Sequence, residues 1–442
     1  MVRETGGPGS RHAGRTSPDL HIIDRADRAS VGRKSPGTAP TWQNPQMPDE
    51  TQQPGPLAHP AQSTESTQSS TSTTHAAETV RTPPPSTPPG RRDLATLPKA
   101  HLHLHFTGSM RQSTLADLAA AHGMRLPSAL LDLDPLRVPA NERGWFRFQR
   151  LYDAARACVR TESDMRRIIR EAAEDDAAEG SGRLEIQVDP TSYAPFVGGI
   201  TPALEIVLDE ARSASATSGV EVGVIVASSR MRHPLDARIL ARLAALHAGD
   251  GPGEVIGFGL SNDERRGDTS AFAPAFRIAR KAGLASVPHG GELLGPGHVS
   301  EVLDTLQPDR LGHGVRSGED RRVLERIVEQ DVSLEVCPAS NVSLGVYADD
   351  AQVPLRDLVD AGARVALGAD DPLLFRSRLV GQYESARDVH GFSDEELAGL
   401  ARSSIRASLA AGSTQRRLLT EVDEWLAAPA PGAGEVGEVG KA

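Results

Sequence analysis

Eight short runs of strand-forming residues, each followed by a helix-forming stretch, constrain this chain more than any other feature. The runs are Ala100–Phe106, Arg183–Asp189, Val220–Ala227, Val255–Leu260, Ala285–His289, Arg310–His313, Ser333–Cys337 and Arg364–Leu367. Helical patterns fall between them, among them 163–180, 202–213, 234–248, 271–282, 299–305, 319–330 and 355–361. Such alternation implies parallel strands joined by helical crossovers. Eight units within about 330 residues predict an α/β protein of the (β/α)8 barrel type. A doubly wound open sheet is the alternative by pattern alone. The gap after the first strand, 109–182, is too long for a simple crossover and predicts a helical insertion. It holds Trp145, Phe146, Phe148, Leu151 and Tyr152, and its position suits a cover over the barrel mouth.

Residues 1–90 are rich in Pro, Ser, Thr and Gln and bury too little apolar surface to offset their ordering entropy, so they are expected to be disordered. His12, His21, His59 and His75, scattered through that tail, are expected to be solvent residues. The barrel is assigned to 91–428, and 429–442 to a frayed C-terminus. The net charge of −11 argues against a nucleic acid or an anionic membrane held by charge. No apolar run approaches the roughly 18–20 residues of a membrane helix. The first residues, Met-Val-Arg-Glu-Thr-Gly-Gly, lack the apolar core of a signal peptide. Two distant cysteines, Cys158 and Cys337, support neither a disulfide framework nor a cysteine metal cluster. A cytoplasmic protein is expected.

In a barrel of this type the chemistry sits at the C-terminal ends of the strands. The first run places His101, His103 and His105 on one face. Two imidazoles at that spacing suit one metal ion, and His103 and His105 lie nearer the mouth. The fifth run ends in His289, and the following glycines permit a sharp turn that returns Glu292 to the same cavity. The sixth ends in His313 between Gly312 and Gly314. The eighth runs into Asp370-Asp371-Pro372. Adjacent aspartates before a proline also read as a helix N-cap with Pro at the first helical position. That reading is compatible with function, since only one aspartate need cap.

Three imidazoles and a carboxylate around an open position suit Zn²⁺, which brings the pKa of a bound water toward about 7. His313 and Asp371 would orient or deprotonate that water. Glu292 would be a general acid, its pKa raised in a closed apolar pocket. The chemistry so predicted is hydrolytic attack on an electrophilic carbon, with protonation of the leaving group.

Five segments occur in order: Pro98-Lys-Ala-His-Leu-His-Leu-His-Phe-Thr-Gly108, His289-Gly-Gly-Glu292, Leu311-Gly-His-Gly314, Leu334-Glu-Val-Cys-Pro-Ala-Ser-Asn341 and Ala369-Asp-Asp-Pro-Leu-Leu374. Together they resemble the adenosine deaminase family of metal-dependent amidohydrolases, over residues 93–425. The resemblance implies one Zn²⁺ per subunit on His103, His105, His289 and Asp370. It implies Glu292 as proton donor to the purine N1, His313 as the residue that positions the nucleophile, and Asp371 as its partner. The substrate face would comprise His105, Thr107, Gly108, Asn262 and Asp371. Attack would fall at C6 of the adenine ring and release ammonia, with a purine nucleoside as the small-molecule partner. The zinc deaminases built on Pro-Cys-x-x-Cys are excluded, because no such run is present.

Three departures stand out. Thr107 occupies the place where the family typically has an Asp that contacts the ribose 5′-hydroxyl, and where adenine-specific relatives have Glu. Asn262 stands where Gly is usual, at a point where the backbone meets the purine N3. His101 stands where Glu is usual. Thr107 opens room for a 5′-modified adenosine. The segment Phe106-Thr-Gly-Ser-Met-Arg111 resembles the branch that includes bacterial deaminases of 6-amino-6-deoxyfutalosine in menaquinone biosynthesis. Arg111, Arg230 or Arg232 would then meet that substrate's benzoate. The expected function is Zn²⁺-dependent deamination of adenosine or a 5′-modified adenosine. Aminodeoxyfutalosine, adenine and the substrate of another barrel amidohydrolase are the alternatives.

Overall fold

The computed structural model describes residues 91–429. The segments 1–90 and 430–442, with the expected disorder and the four scattered histidines, lie outside the described residues. Eight strands run in chain order around one sheet: β1 Lys99–His105, β2 Ser181–Val188, β3 Glu221–Ser229, β4 Val255–Ser261, β5 Ala285–Gly290, β6 Arg310–His313, β7 Ser333–Val336 and β8 Val365–Leu367. Every neighbouring pair is parallel. The sheet closes on itself, so the fold is the (β/α)8 barrel and not the open sheet. Closure comes just beyond β8, where Leu104 and Asp370 form a parallel bridge. There the His105 N–H donates to Asp370 O, and the Asp370 N–H to His103 O, each at 3.0 Å.

The intervening helices include Ile200–Ser218, Pro234–Leu246, Ala273–Lys281, Pro296–Leu306, Arg321–Glu329 and Leu355–Asp360. They overlap the predicted stretches and several run longer. Pro296 opens its helix three residues before the expected start, as proline at a first helical position can. Among the described residues no helix is long and apolar enough to cross a membrane.

Side chains alternate across each strand. The outward set, with Leu184, Ile186, Val222 and Val224, packs against the helices as the main apolar core. The inward set divides the barrel in two. Ile225, Ile256 and Val287, from β3 to β5, form a small apolar cluster separate from the main core. On the other side β1, β2, β6 and β7 contribute His103, Arg183, Glu185, Arg310 and Glu335, none more than 2% exposed. Branched apolar residues usually fill this space; here charge fills half of it.

The predicted insertion after β1 is helical: Gln112–Ala121, Glu142–Arg156 and Glu162–Ala178. The helix Glu142–Arg156 covers the mouth, with Trp145, Phe148, Gln149 and Tyr152 on the cavity wall. Asn141 caps it by accepting from the Gly144 N–H at 2.9 Å. Phe148 stacks on Phe375 with ring centroids 5.7 Å apart and planes at 17°. Phe375 belongs to the short helix Pro372–Phe375 that follows β8, so the cover is tied to the barrel seam. Phe148→Ala removes that tie. A loss of about 3 kcal/mol is expected for a buried aromatic, together with a rise in KM larger than the fall in kcat. Thermal denaturation and steady-state kinetics would show both; an unchanged Tm would mean that other contacts hold the cover.

Candidate active site

The sequence-predicted donors come together on the barrel axis. His103 Nε2 and His105 Nε2 lie 3.5 and 3.2 Å from Asp370 Oδ1. His105 Nε2 and His289 Nε2 are 3.2 Å apart. His313 Nε2 is 3.8 Å from Asp370 Oδ2 and 3.6 Å from Glu292 Oε1. His313 and Asp370 take left-handed φ values of 61° and 59°, which cost a non-glycine residue on the order of 1–3 kcal/mol. At these strand exits the pleat no longer sends neighbours to opposite faces, so Asp370 and Asp371 both border the cavity. Gly312 makes room between two imidazoles. A Cβ there would stand 2.9 Å from His103 Cε1 and 3.0 Å from His289 Nδ1.

The donor set fits a metal ion. Ligand atoms of His103, His105 and His289 all lie within 4.8 Å of one another, as do those of His103, His313 and Asp370. His103 Nδ1 is 2.6 Å from Glu335 Oε2, a bond that orients the ring with Nε2 toward the cluster, where a bound cation would take the place of the Nε2 proton. That Nε2 is buried without a hydrogen-bond partner, a costly state that a cation would relieve. Burial opposes charge on His103, yet Asp370 and Glu335 outweigh it and pull the imidazole up to about 10. At His103 the two carboxylates thus favour positive charge, whereas burial and then His103, His105 and His313 push His289 well below its ordinary value. Burial would raise the Asp370 carboxyl, but His103 and His105 hold it well below the usual range. Ser340 Oγ donates to Asp370 Oδ2 at 2.6 Å and leaves Oδ1 to the cluster. Burial pushes His313 down to about 3, so that ring is neutral.

Two other carboxyls face the cluster in the opposite state. Burial, reinforced by the charges of Asp370 and Glu264, pushes Glu292 well above the carboxylate range. Glu264 shapes its turn, accepting from the Glu292 N–H at 3.2 Å and from the Leu293 and Leu294 N–H groups at 2.9 Å each. Burial and then Asp370 likewise raise Asp371. Asp371 stands at the N-cap of Pro372–Phe375, but its carboxyl makes no capping bond. Its Oδ1 is buried and unpartnered. Gly108 packs beneath it: a Cβ would overlap the Asp371 carboxyl and stand 2.7 Å from its Cα.

The cavity above measures about 730 Å³ with its open mouth included, and His105, His289, Glu292, His313, Asp370 and Asp371 form its floor. Asn262 lines one wall with φ 81°. Thr107 and Gly108 do not line it. The Thr107 hydroxyl is buried 2.6 Å from that of Tyr193, which does line it. The three arginines suggested for a benzoate lie elsewhere. Arg111 is held by Asp175 at 2.7 Å, Arg230 by Thr269 Oγ1 and His289 O, and Arg232 is half-exposed 3.7 Å from Asp189. Arg156 is the arginine that lines the cavity. His101 has no part in the donor cluster. Its Nδ1 meets Asp176 at 3.0 Å and its Nε2 accepts from the Ala369 N–H at 3.1 Å, so it ties β1 to the seam.

Sequence reasoning gave no role to Glu335, Ser340 or Asn341, although they lie within a quoted motif; Asn341 Nδ2 is 3.4 Å from His313 Nδ1. A carboxylate in phase with the inward face of β7 was the available signal for Glu335. Gln187 was also missed. It lies on the cavity wall with neither amide atom paired.

Known proteins bear on this arrangement. The family profile described as Adenosine deaminase matches residues 98–425. A Streptomyces virginiae protein, provisionally named adenosine/adenine deaminase, is 59% identical over 336 residues, covering 76% of this chain and 98% of its own. An adenine deaminase of Sinorhizobium fredii is 34% identical over 74% of this chain and 98% of its own. The crystal structure of adenine deaminase from Arthrobacter aurescens superposes with a TM-score of 0.69 at 32% identity, covering 75% of this chain and 99% of that one. With its barrel, its donor cluster and these relatives, the chain belongs to the adenosine deaminase family.

Proposed function

We propose that this chain is a Zn²⁺-dependent hydrolase that deaminates adenosine or a 5′-modified adenosine at C6, giving an inosine-type product and ammonia. The supporting observation is the geometry of one cluster: ligand atoms of His103, His105 and His289 lie within 4.8 Å of one another, as do those of His103, His313 and Asp370, and Glu292 stands 3.6 Å from His313. His103, His105, His289 and Asp370 would hold the ion, one per subunit, and the bound ion supplies acidity to water near neutral pH. Glu292 gives its proton to the purine N1 and makes C6 electrophilic. His313 and Asp371 orient the attacking water and take up its proton. The C6–amine bond breaks as that proton leaves with the amine as ammonia, and the proton of the C6 hydroxyl returns to Glu292 as the carbonyl forms. Asn262 presents its main chain to the base beside His105. Thr107 and Gly108 act from behind the wall, through Tyr193 and Asp371.

The cavity continues past this floor to Arg156, Asp189 and Ser192, which supports a substrate carrying a polar group beyond the base. That favours the nucleoside, and it leaves space for a 5′ substituent such as that of aminodeoxyfutalosine. Bare adenine is the second reading, favoured by the likeness to adenine deaminases. The expected partner is a small purine in the cytoplasm.

Zinc-replete protein should turn over at least one of adenosine, 5′-deoxyadenosine, methylthioadenosine and aminodeoxyfutalosine, followed by loss of adenine absorbance. Silence with all four would sink the proposal, and faster turnover of adenine than of any nucleoside would install the second reading. Chelation should abolish activity and Zn²⁺ should restore it. Glu292→Gln should lower kcat/KM by about 10²–10⁴-fold with unchanged circular dichroism. The pH profile has a defined sign. At its ordinary value of 4.5 the Glu292 carboxyl would be ionised at neutrality; raised, it keeps its proton to higher pH. Wild-type kcat/KM should thus be full below the raised pKa and decline as pH climbs through it. A profile with no alkaline limb would count against Glu292 as the acid.

A further inference from the structure

The charged half of the barrel interior is one continuous line that ends on the donor cluster. Arg183 Nε donates to Glu185 Oε1 at 3.0 Å. Glu185 Oε2 stands 2.7 Å from Arg310 Nη2. Arg310 Nε donates to Glu335 Oε1 at 2.6 Å. Glu335 Oε2 meets His103 Nδ1 at 2.6 Å. Two main-chain groups at the C-terminal end of the helix Asp394–Ala407 pin the line from outside: Arg310 Nη1 donates to Ala407 O at 2.9 Å, and the Leu409 N–H, two residues on, donates to Glu185 Oε1 at 2.6 Å.

We infer that Arg310 is a positioning residue for the metal, acting through Glu335 to hold the His103 ring with its Nε2 lone pair aimed into the cluster. The inference rests on the Zn²⁺ reading of that cluster. A guanidinium is planar, and its donors leave in fixed directions. Nη1 donates to Ala407 O and Nη2 lies against Glu185 Oε2 as an ion pair outside hydrogen-bond geometry; the Nη1 bond and the planarity of the group set the direction of Nε, and with it the place of Glu335 Oε1. Both oxygens of Glu335 are then committed, so the carboxylate cannot swing and the His103 ring cannot turn. His103 is the member of the set that depends on this support. Among the described residues neither His105 nor His289 has a carboxylate on Nδ1; the Nδ1 of His289 is buried with no partner. Ordering of His103 before the ion arrives therefore falls to this line.

A purely architectural ion line would affect stability alone, so zinc affinity separates the two roles. Apo-protein would be titrated with Zn²⁺ against a chromogenic chelator, beside a thermal melt of the apo form. Arg310→Met and Glu335→Gln should each weaken zinc binding by about 10–100-fold, the range for losing the outer partner of a ligating histidine. Glu335→Gln keeps the shape of its side chain and carries the test if Arg310→Met does not fold. Arg310→Lys restores charge without the fork and should fall between wild type and Arg310→Met. Arg183→Met removes a charge from the same line but leaves the three contacts of Arg310; it should lower the melting temperature and leave zinc affinity within about threefold of wild type, below the range for a lost partner. Wild-type affinity in a folded Arg310→Met would overturn the inference, and so would wild-type affinity in Glu335→Gln. So would an equal loss in Arg183→Met, which would mean general loosening. Failure of wild-type protein to bind Zn²⁺ would instead overturn the zinc reading itself, and this inference with it.

Discussion

Between Arg183 and His103, five ionisable side chains lie out of contact with water, and each stays there because the next one holds it. A lone charge in such a place would neutralise or drive the segment open. Removing one partner of a buried pair typically costs about 3–5 kcal/mol, while replacing the whole set by apolar residues is often neutral or stabilising. Stability alone is thus a poor reason for this half of the barrel to be charged. The apolar cluster of Ile225, Ile256 and Val287 shows that the same interior can be filled without charge. What the charged half does that the apolar half cannot is deliver a carboxylate, oriented and committed, to an imidazole of the donor cluster.

The chemistry above this line depends on backbone as much as on side chains. His313, Asp370 and Asn262 all take left-handed φ, and all three border the cavity. A regular strand could present only every second residue to the axis. Three local departures let four strand ends crowd their polar groups into one volume, and the closeness then separates the carboxyls. Asp370, surrounded by imidazoles, is held ionised. Glu292 and Asp371, buried beside that charge, are pushed the other way, above the usual carboxylate range. Placement alone shifts the same functional group in opposite directions.

Much of this was legible in the residues, for definite reasons. Strand and helix alternate with periods the chain cannot disguise, so all eight strands fell within a few residues of their place. Histidines at alternate positions of β1 share a face by geometry alone, so His103 and His105 were readable as neighbours. Other features were not. Nothing local says that Asp371 leaves its capping duty undone, because the capping pattern is intact in sequence. Thr107 reads as an open position until Tyr193, distant in the chain, takes its hydroxyl. Arg111 and Arg230 read as free cations until Asp175 and Thr269 claim them. Arg310 and Glu335 lie on different strands, and an isolated charge in a short strand carries no mark of its partner. Pairings made by the closed barrel become visible only when the barrel is closed.

Asp370 has a second place in the structure besides its carboxylate. Its own main chain carries the two hydrogen bonds that close the barrel against β1. A donor of the cluster is thus also a clasp of the scaffold, and the floor cannot be retuned without disturbing closure. The covering helix Glu142–Arg156 is different, being attached by caps and aromatic stacking and by no strand ladder. Inherited variation is then channelled. Substitutions in the cover can change the shape of the cavity mouth without touching the clasp, whereas substitutions at the clasp reach the floor and the scaffold together.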